Sequence, residues 1–443
     1  MGKKQINSII LFLVGFIVCM SAANARLTIQ ITQGVSKQTP IAILPFSGAS
    51  TDTNMTQGGL SAVIQADLTN SGRFDVQNSN FPERISHIGA IQWQKWHVNY
   101  IVMGSVSKDE NGHYTVKYTL VSRLNNQVFS SREFNHITKA QFRVLAHTIS
   151  NYIYQAVTGN KGYFTSKISY VDVEHPYDRK NARYQLVVSD YDGFNPHVLL
   201  SQPKEPIMSP AWSKDGKYIA YVSYYKGGMA IYTINVYTGV RKLVANYEGI
   251  NSSPSFSPSG NTLAMALSQG YSENTNIYLM NLKNDKLYKK LSINGINTAP
   301  SFSPSGDEIA FVSNRGGNPQ IYTTPVDAKY PSAERATFGI HQAFDPIYTP
   351  NGQYIVFMYQ KTRNSGTQIA KLDIKTNKIT VLTHGKADAS PSISPDGNMV
   401  LYVKTDAKGN SSLAMVSIDA KVQITLPSNT NGAIQSPAWS QAV

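Results

Sequence analysis

Cysteine is almost missing from this chain of 443 residues, with Cys19 standing alone. One sulfur cannot supply a disulfide framework or a multi-thiol metal site, so stability has to come from buried core. Long apolar runs are scarce as well. One opens the chain from Ile9 to Met20, behind Lys3 and Lys4 and ahead of Ala23-Asn24-Ala25. It falls short of the about 20 residues a bilayer span needs. The layout is that of a secretory signal peptide over residues 1–25, cleaved after Ala25 and taking Cys19 with it. Lipid attachment at Cys19 is disfavoured because Val18 stands where a bacterial lipobox needs a small side chain. No later segment is apolar and long enough to span, so no membrane span is expected after cleavage. The remaining length suits two or three domains.

Acid is the other scarcity. Asp and Glu number 27 against 40 Lys and Arg, a formal charge of +13. Basic chains invite a nucleic-acid reading, but here the cations are scattered singly along strand-like segments without a run or stripe. A solvated basic surface favouring acidic protein partners, and no nucleic acid, is expected. Catalytic signatures are missing too. There is no Gly-x-Ser-x-Gly for a nucleophile elbow, no His-Glu-x-x-His, and no cluster at metal-ligand spacing among the nine histidines. His341, four residues before Asp345, reads as a surface loop. Asp190-Tyr191-Asp192-Gly193 opens like a calcium loop but lacks the remaining ligands and closing Glu, and reads as a turn between strands. No catalytic residue, metal or cofactor is expected.

What is present is a repeat. SPAWSKDGKYIAYVS begins at Ser209, SPSFSPSGNTLAMALS at Ser253, APSFSPSGDEIAFVSN at Ala299, DPIYTPNGQYIVFMYQ at Asp345 and SPSISPDGNMVLYVKT at Ser390. A period near 45 residues changes the whole architecture. Each unit reads as a strand, a tight turn at Gly216, Gly260, Gly306, Gly352 or Gly397, and a second strand. Third strands follow around Ile231, Ile277, Ile321, Ile369 and Leu413, and a fourth closes each unit. Four strands per period are propeller blades. The chain ends on another opening, Ser436-Pro437-Ala438-Trp439-Ser440, with nothing after it. Upstream, Ile168–Val171 and Gln185–Ser189 resemble a repeat that has lost its first strand. The C-terminal strand is therefore expected to complete that blade and close a ring of six over residues 162–443, protecting both sheet edges.

Ahead of the repeats the pattern mixes helix and strand. Pro40–Phe46 reads as a buried strand and Met55–Asn70 as a helix ended by Ser71-Gly72. Tyr100–Val106, Tyr114–Val121 and Val128–Phe134 read as a meander. A last helix starts at Thr138 and stops at Gly159. An α/β domain over residues 40–161 follows, before an all-β six-bladed β-propeller. The preceding segment, residues 26–39, contains RLTIQITQG from Arg26, with Leu27, Ile29 and Ile31 alternating against Thr28, Gln30 and Thr32. Such a strand either pairs with its own domain or adds to a partner's sheet.

PIAILPF with the following ADLTNSGRF, the stretch YQLVVSDYDGFN, the SPAWSKDGKYIAYVS block and the terminal SPAWS together resemble the TolB family along essentially the whole mature chain. The resemblance implies a periplasmic, non-enzymatic protein that links the inner-membrane protein TolA to the peptidoglycan-associated lipoprotein, Pal, in the machinery that draws the outer membrane inward at cell division. Other outer-membrane proteins are further partners it would allow. It also implies that TolA is contacted by the segment here numbered Leu27, Thr28, Ile29, Gln30, Ile31, Thr32, Gln33 and Gly34. Pal would plug one mouth of the propeller, against loops that here include Ile250, Asn251, Ser253 and Thr298; the family often has a histidine where Ile250 stands. The alternatives are a propeller-containing hydrolase, for which the nucleophile elbow is missing, and a sensor of small ligands or glycans in the central channel, for which no blade concentrates convergent polar residues.

Overall fold

The computed structural model describes residues 28–31, 38–48, 59–77, 91, 93–178, 180–268, 274–291, 295–327, 332–427 and 432–441. The expected signal peptide lies outside them, as do Leu27, Thr32, Gln33 and Gly34. None of the helices among the described residues is long and apolar enough to cross a membrane.

Residues from Thr39 to Thr158 form the α/β domain. Its sheet runs in the order Phe74–Gln77, Thr39–Ile43, Tyr100–Lys108, Tyr114–Ser122, Gln127–Ile137, parallel among the first three and antiparallel thereafter. The helices Gly59–Asn70 and Phe142–Thr158 bury Leu60, Ile64, Leu68, Leu145, Ile149 and Ile153 in one core with the sheet residues Ile41, Val102 and Tyr118. Thr138 caps a short 3-10 turn, Lys139–Gln141, that leads into the second helix, its N–H donating to the Gln141 side chain at 2.9 Å. Gly159 ends that helix in the left-handed conformation that residues with a Cβ resist, φ 76°. Among the described residues the expected elements are in place, the first helix from Gly59 onward, with the added strands Ser47–Gly48 and Phe74–Gln77 and a single helical turn at Trp93–Trp96.

The second domain is a six-bladed propeller. Blades 2 to 6 are each built on four consecutive antiparallel strands, spanning 208–245, 251–291, 297–335, 342–381 and 389–425, and blade 6 carries a fifth from elsewhere in the chain. Blade 1 takes Lys167–Glu174, Arg183–Asp190 and His197–Pro203, and its innermost strand is Ala433–Trp439, with Trp439 opposite Ile168 and Ala433 opposite Val173. Ring closure is thus as the repeat pattern requires. Trp439 is buried, its indole N–H donating to Ser166 Oγ and its backbone N–H to Ser392 Oγ, both at 2.8 Å. Neighbouring blades pack face to face through apolar clusters such as Val171, Leu186, Ile219 and Tyr221 between blades 1 and 2.

One feature of the repeat has no counterpart in its residue pattern. The residue before each shared proline is left-handed, with φ of 49° at Ser209, 51° at Ser253, 51° at Ala299, 48° at Asp345, 52° at Ser390 and 46° at Ser436. Each innermost strand slips register there, as between Ser252 and Ser255. Such bulges re-aim side chains, and left-handed residues other than glycine cost of order 1–3 kcal/mol each. All six line a central cavity of about 310 Å³.

Candidate functional site: channel mouth, outer strand and domain joint

Three places carry chemistry beyond core packing. The first is the propeller face where blades 3 and 4 begin. Ile250 and Ile296 occupy equivalent positions there, 41 % and 49 % exposed. The Ile250 N–H donates to Ser268 Oγ and the Ile296 N–H to Asn314 Oδ1, each at 2.8 Å, so the loops that present these side chains are fixed. Asn251 differs from expectation. Rather than lying in an exposed loop it is fully buried, its amide donating to the carbonyls of Tyr247 at 2.6 Å and Gly249 at 3.3 Å. A short polar side chain that satisfies loop backbone groups is drawn inward. Ser253 and Thr298, expected just outside the strands, belong to the strands Asn251–Phe256 and Asn297–Phe302. Their hydroxyls meet at 3.1 Å across the blade boundary.

Within the channel, Asp345 is the one charged residue among the described lining residues. Protein surrounds its carboxyl on most sides, and desolvation by burial raises its pKa above the usual carboxylate range.

The second place is the outer edge of blade 6. Thr28–Ile31 pairs antiparallel with the strand Val422–Thr425, placing Thr28 opposite Thr425, Ile29 opposite Ile424, Gln30 opposite Gln423 and Ile31 opposite Val422. Blade 6 therefore has five strands. The segment pairs within its own chain, but with the propeller and not, as expected for self-pairing, with the α/β domain it precedes.

The third place is the joint between the domains, which the sequence did not single out. Tyr154 of the long helix donates its hydroxyl to Asp396 Oδ2 at 2.9 Å in blade 6, and Arg73 donates to Asn398 beside it. The rings of Tyr154, Tyr163, Phe164, Tyr191 and Trp439 pack against one another, edge to face at 5.5–6.2 Å between centroids except for the tilted Tyr163–Phe164 pair at 4.7 Å, continuous with the buried closing strand. Next to them, His147 lies between two carboxylates. Its Nδ1 is 2.9 Å from Asp67 Oδ2, and the Tyr191 hydroxyl donates to Asp67 Oδ1 at 2.6 Å. Its Nε2 is 4.0 Å from Asp192 Oδ2, which also accepts from Arg143. Arg143 bonds Asp190 as well, at 3.2 Å, and Lys167 and Asn195 complete the shell of Asp190. Asp190-Tyr191-Asp192-Gly193 is a turn, as read from the sequence, but a turn that inserts two carboxylates and a phenol under the α/β domain.

Ligand atoms of Asp67, His147 and Asp192 lie within 4.8 Å of one another. They fit a divalent cation poorly. Asp67 engages Nδ1 while Nε2 faces Asp192 on the other side of the ring, and the Arg143 guanidinium already occupies the Asp192 oxygen. Burial alone would lower the pKa of His147; the Asp67 carboxylate, and after it Asp192, outweigh that and raise it above the usual histidine range. Asp190 moves the other way. Burial would raise it, but the Lys167 hydrogen bond and charge prevail and lower it.

Comparison with known proteins agrees with this architecture. Residues 154–443 match the model of the TolB beta propeller domain and residues 27–128 that of the TolB amino-terminal domain. The chain is 43 % identical over 427 residues to the Tol-Pal system protein TolB of Francisella tularensis subsp. tularensis strain FSC 198, covering 96 % of each chain. It is 34 % identical over 431 residues to that of Hamiltonella defensa, again covering 96 % of both. The crystal structure of TolB from Acinetobacter baumannii superposes with a TM-score of 0.81 at 31 % identity, over 94 % of this chain and 100 % of that one.

Proposed function

The chain belongs to the TolB family and is a component of a Tol-Pal system, and from that premise we propose that it acts in the periplasm as a non-enzymatic interaction hub. In this reading Pal docks on the channel mouth at blades 3 and 4, and TolA is captured by the segment Leu27 to Gly34. The hub thereby supports inward movement of the outer membrane at division and the integrity of the envelope.

The observation that carries this reading is the outer strand. Thr28–Ile31 is attached to blade 6 as an added edge strand, through four backbone-paired positions. A segment already using strand addition within its own chain has the backbone and the alternation to use it on a partner. At the mouth, the exposed Ile250 and Ile296 offer apolar anchors, while Asn251 acts from beneath by holding its loop in shape. Ser253 and Thr298 supply paired hydroxyls between them.

Calorimetry with the purified Pal domain and capture by the periplasmic domain of TolA test both halves. Changing Ser253 or Thr298 to lysine should weaken Pal binding by about tenfold or more, the effect of ~1.4 kcal/mol. Pal binding that survives both changes moves that site elsewhere. Ile29→Pro should abolish TolA capture, because proline removes a ladder donor. Capture that persists means recognition does not use this backbone.

A further inference from the structure

His147 is 2 % exposed, in a setting that suits only one of its charge states. Both Asp67 oxygens lie within 3.1 Å of Nδ1, so Nδ1 carries a proton. In the neutral ring Nε2 is then a bare lone pair. It has no hydrogen-bond partner among the described residues, and it faces Asp192 Oδ2 at 4.0 Å. Acceptor facing acceptor in a buried site is unfavourable; a second proton on the ring turns the same geometry into an attraction.

Charge leads to the same conclusion. The groups facing His147 are Arg143 from its own helix, Asp67 from the helix Gly59–Asn70, and Asp190, Tyr191 and Asp192 from the turn that ends the strand Arg183–Asp190. Lys167, on the adjacent strand, holds Asp190. Three acidic side chains meet two cationic ones; burial raises the pKa of Asp192, and a proton on His147 opposes that rise by setting a positive charge 4.0 Å from its Oδ2.

The cluster spans the two domains, and it is linked to the outer strand. The helix that carries Asp67 runs to Asn70 and continues into Ser71 and Gly72. Gly72 is in such close contact with Val422 that a Cβ there would lie 2.7 Å from Val422 Cγ2. Val422 is the residue of blade 6 that pairs with Ile31. A shift of this helix away from the propeller therefore removes the Gly72 contact on Val422, in the strand on which the N-terminal segment is seated.

We propose that His147 is a proton-operated latch between the α/β domain and the propeller, closed with the imidazole doubly protonated, whose opening releases the segment Thr28–Ile31 from blade 6. The latch regulates the partner-binding segment assigned above and in that respect rests on that assignment. Because the folded pKa of His147 is raised, the stabilisation it gives is complete below the ordinary histidine pKa and is lost as pH rises through the higher folded value. Alkaline conditions open the joint.

A nitroxide at Gln30→Cys in the chain from Arg26 onward, which has no other cysteine, reports docking of the segment through its mobility. In the otherwise unchanged protein the mobile fraction should grow from mildly acid to mildly alkaline pH. Each unit by which the docked pKa exceeds the released one is worth about tenfold in the docked-to-free ratio. His147→Gln, which cannot take the proton, should be mobile at every pH. Asp192→Asn, which removes the carboxylate facing Nε2, should keep the segment docked with little pH dependence. A label immobile throughout in the parent protein, or a His147→Gln profile matching the parent, overturns the latch. Capture of TolA at both pH values separates the two readings. A segment freed by alkali that captures no TolA sinks the partner assignment and leaves the latch; pH-independent capture with a label that never moves sinks the latch alone.

Discussion

Two strands from opposite ends of the chain complete blades of the same propeller, and they do so differently. Ala433–Trp439 enters at the innermost position of blade 1, between two other blades, and brings a buried tryptophan with two hydrogen bonds. Thr28–Ile31 is added at the outermost position of blade 6, where four registered pairs hold it. Backbone chemistry is shared, so the difference lies in what surrounds each ladder. An inner strand is held by neighbouring blades and cannot leave without opening them. An outer strand has one paired edge, and exchange of that pairing leaves the ring intact. Permanence and exchange are thus separated by radial position within one fold.

The sharpest way to break this comparison is to remove residues Ser436–Val443. That should abolish the cooperative melt of the propeller or lower its midpoint by on the order of 10 °C or more, since Trp439→Ala alone is worth about 3–5 kcal/mol. A truncated protein that melted within a degree of the parent would make both strands equally dispensable. A smaller effect is expected at Gly72→Ala, where a new methyl group meets Val422 and the backbone is left-handed, φ 68°. A loss of about 1–3 kcal/mol, read by denaturant unfolding, should accompany release of the outer strand. Acid gives a further test of the joint. Lowered in the folded state, the Asp190 pKa makes its contribution present above the ordinary carboxylate pKa and lost as pH falls through the folded value. Thermal midpoints followed into the acid range should fall for the parent and fall less for Asp190→Asn. Smallest is Ile29→Pro, which should shift the melt by less than about 0.5 kcal/mol while undocking the strand.

The propeller was legible because its signal is repeated. The proline period and the turn glycines agree in five places, and the orphan opening at Ser436 points to its own partner strand. The α/β domain was legible where periodicity is strong, as in Leu60 to Leu68, and not at Phe74–Gln77, where four residues are too few to establish alternation. Bulges before each proline escaped notice because serine, alanine and aspartate carry no mark of left-handed backbone. The domain joint escaped because Asp67, His147 and Asp192 are far apart in the chain and form no motif; only the turn at Asp190 to Gly193 was visible, without its role. Asn251 was read as a loop residue open to a partner, but whether an asparagine faces outward or caps its own loop is decided by backbone geometry that residue type does not encode.

Ring closure also orders the events of folding. Trp439 and Ser166, bonded in the finished blade, are separated by 273 positions in the chain. Blades 2 to 6 are built from consecutive strands and can each assemble from local contacts as soon as their own residues exist. Blade 1 must wait for the other end of the propeller, and pairings of such long range are slow to form. Until then its three early strands keep an unpaired inner edge beside an unfilled space where Trp439 will sit. The growing propeller is therefore an open arc whose capacity to associate wrongly, edge to edge with a second chain, lasts as long as its final strand is missing. Arrival of that strand is the committing step, and any delay in it lengthens the interval in which a sequence able to form a ring can form an oligomer instead.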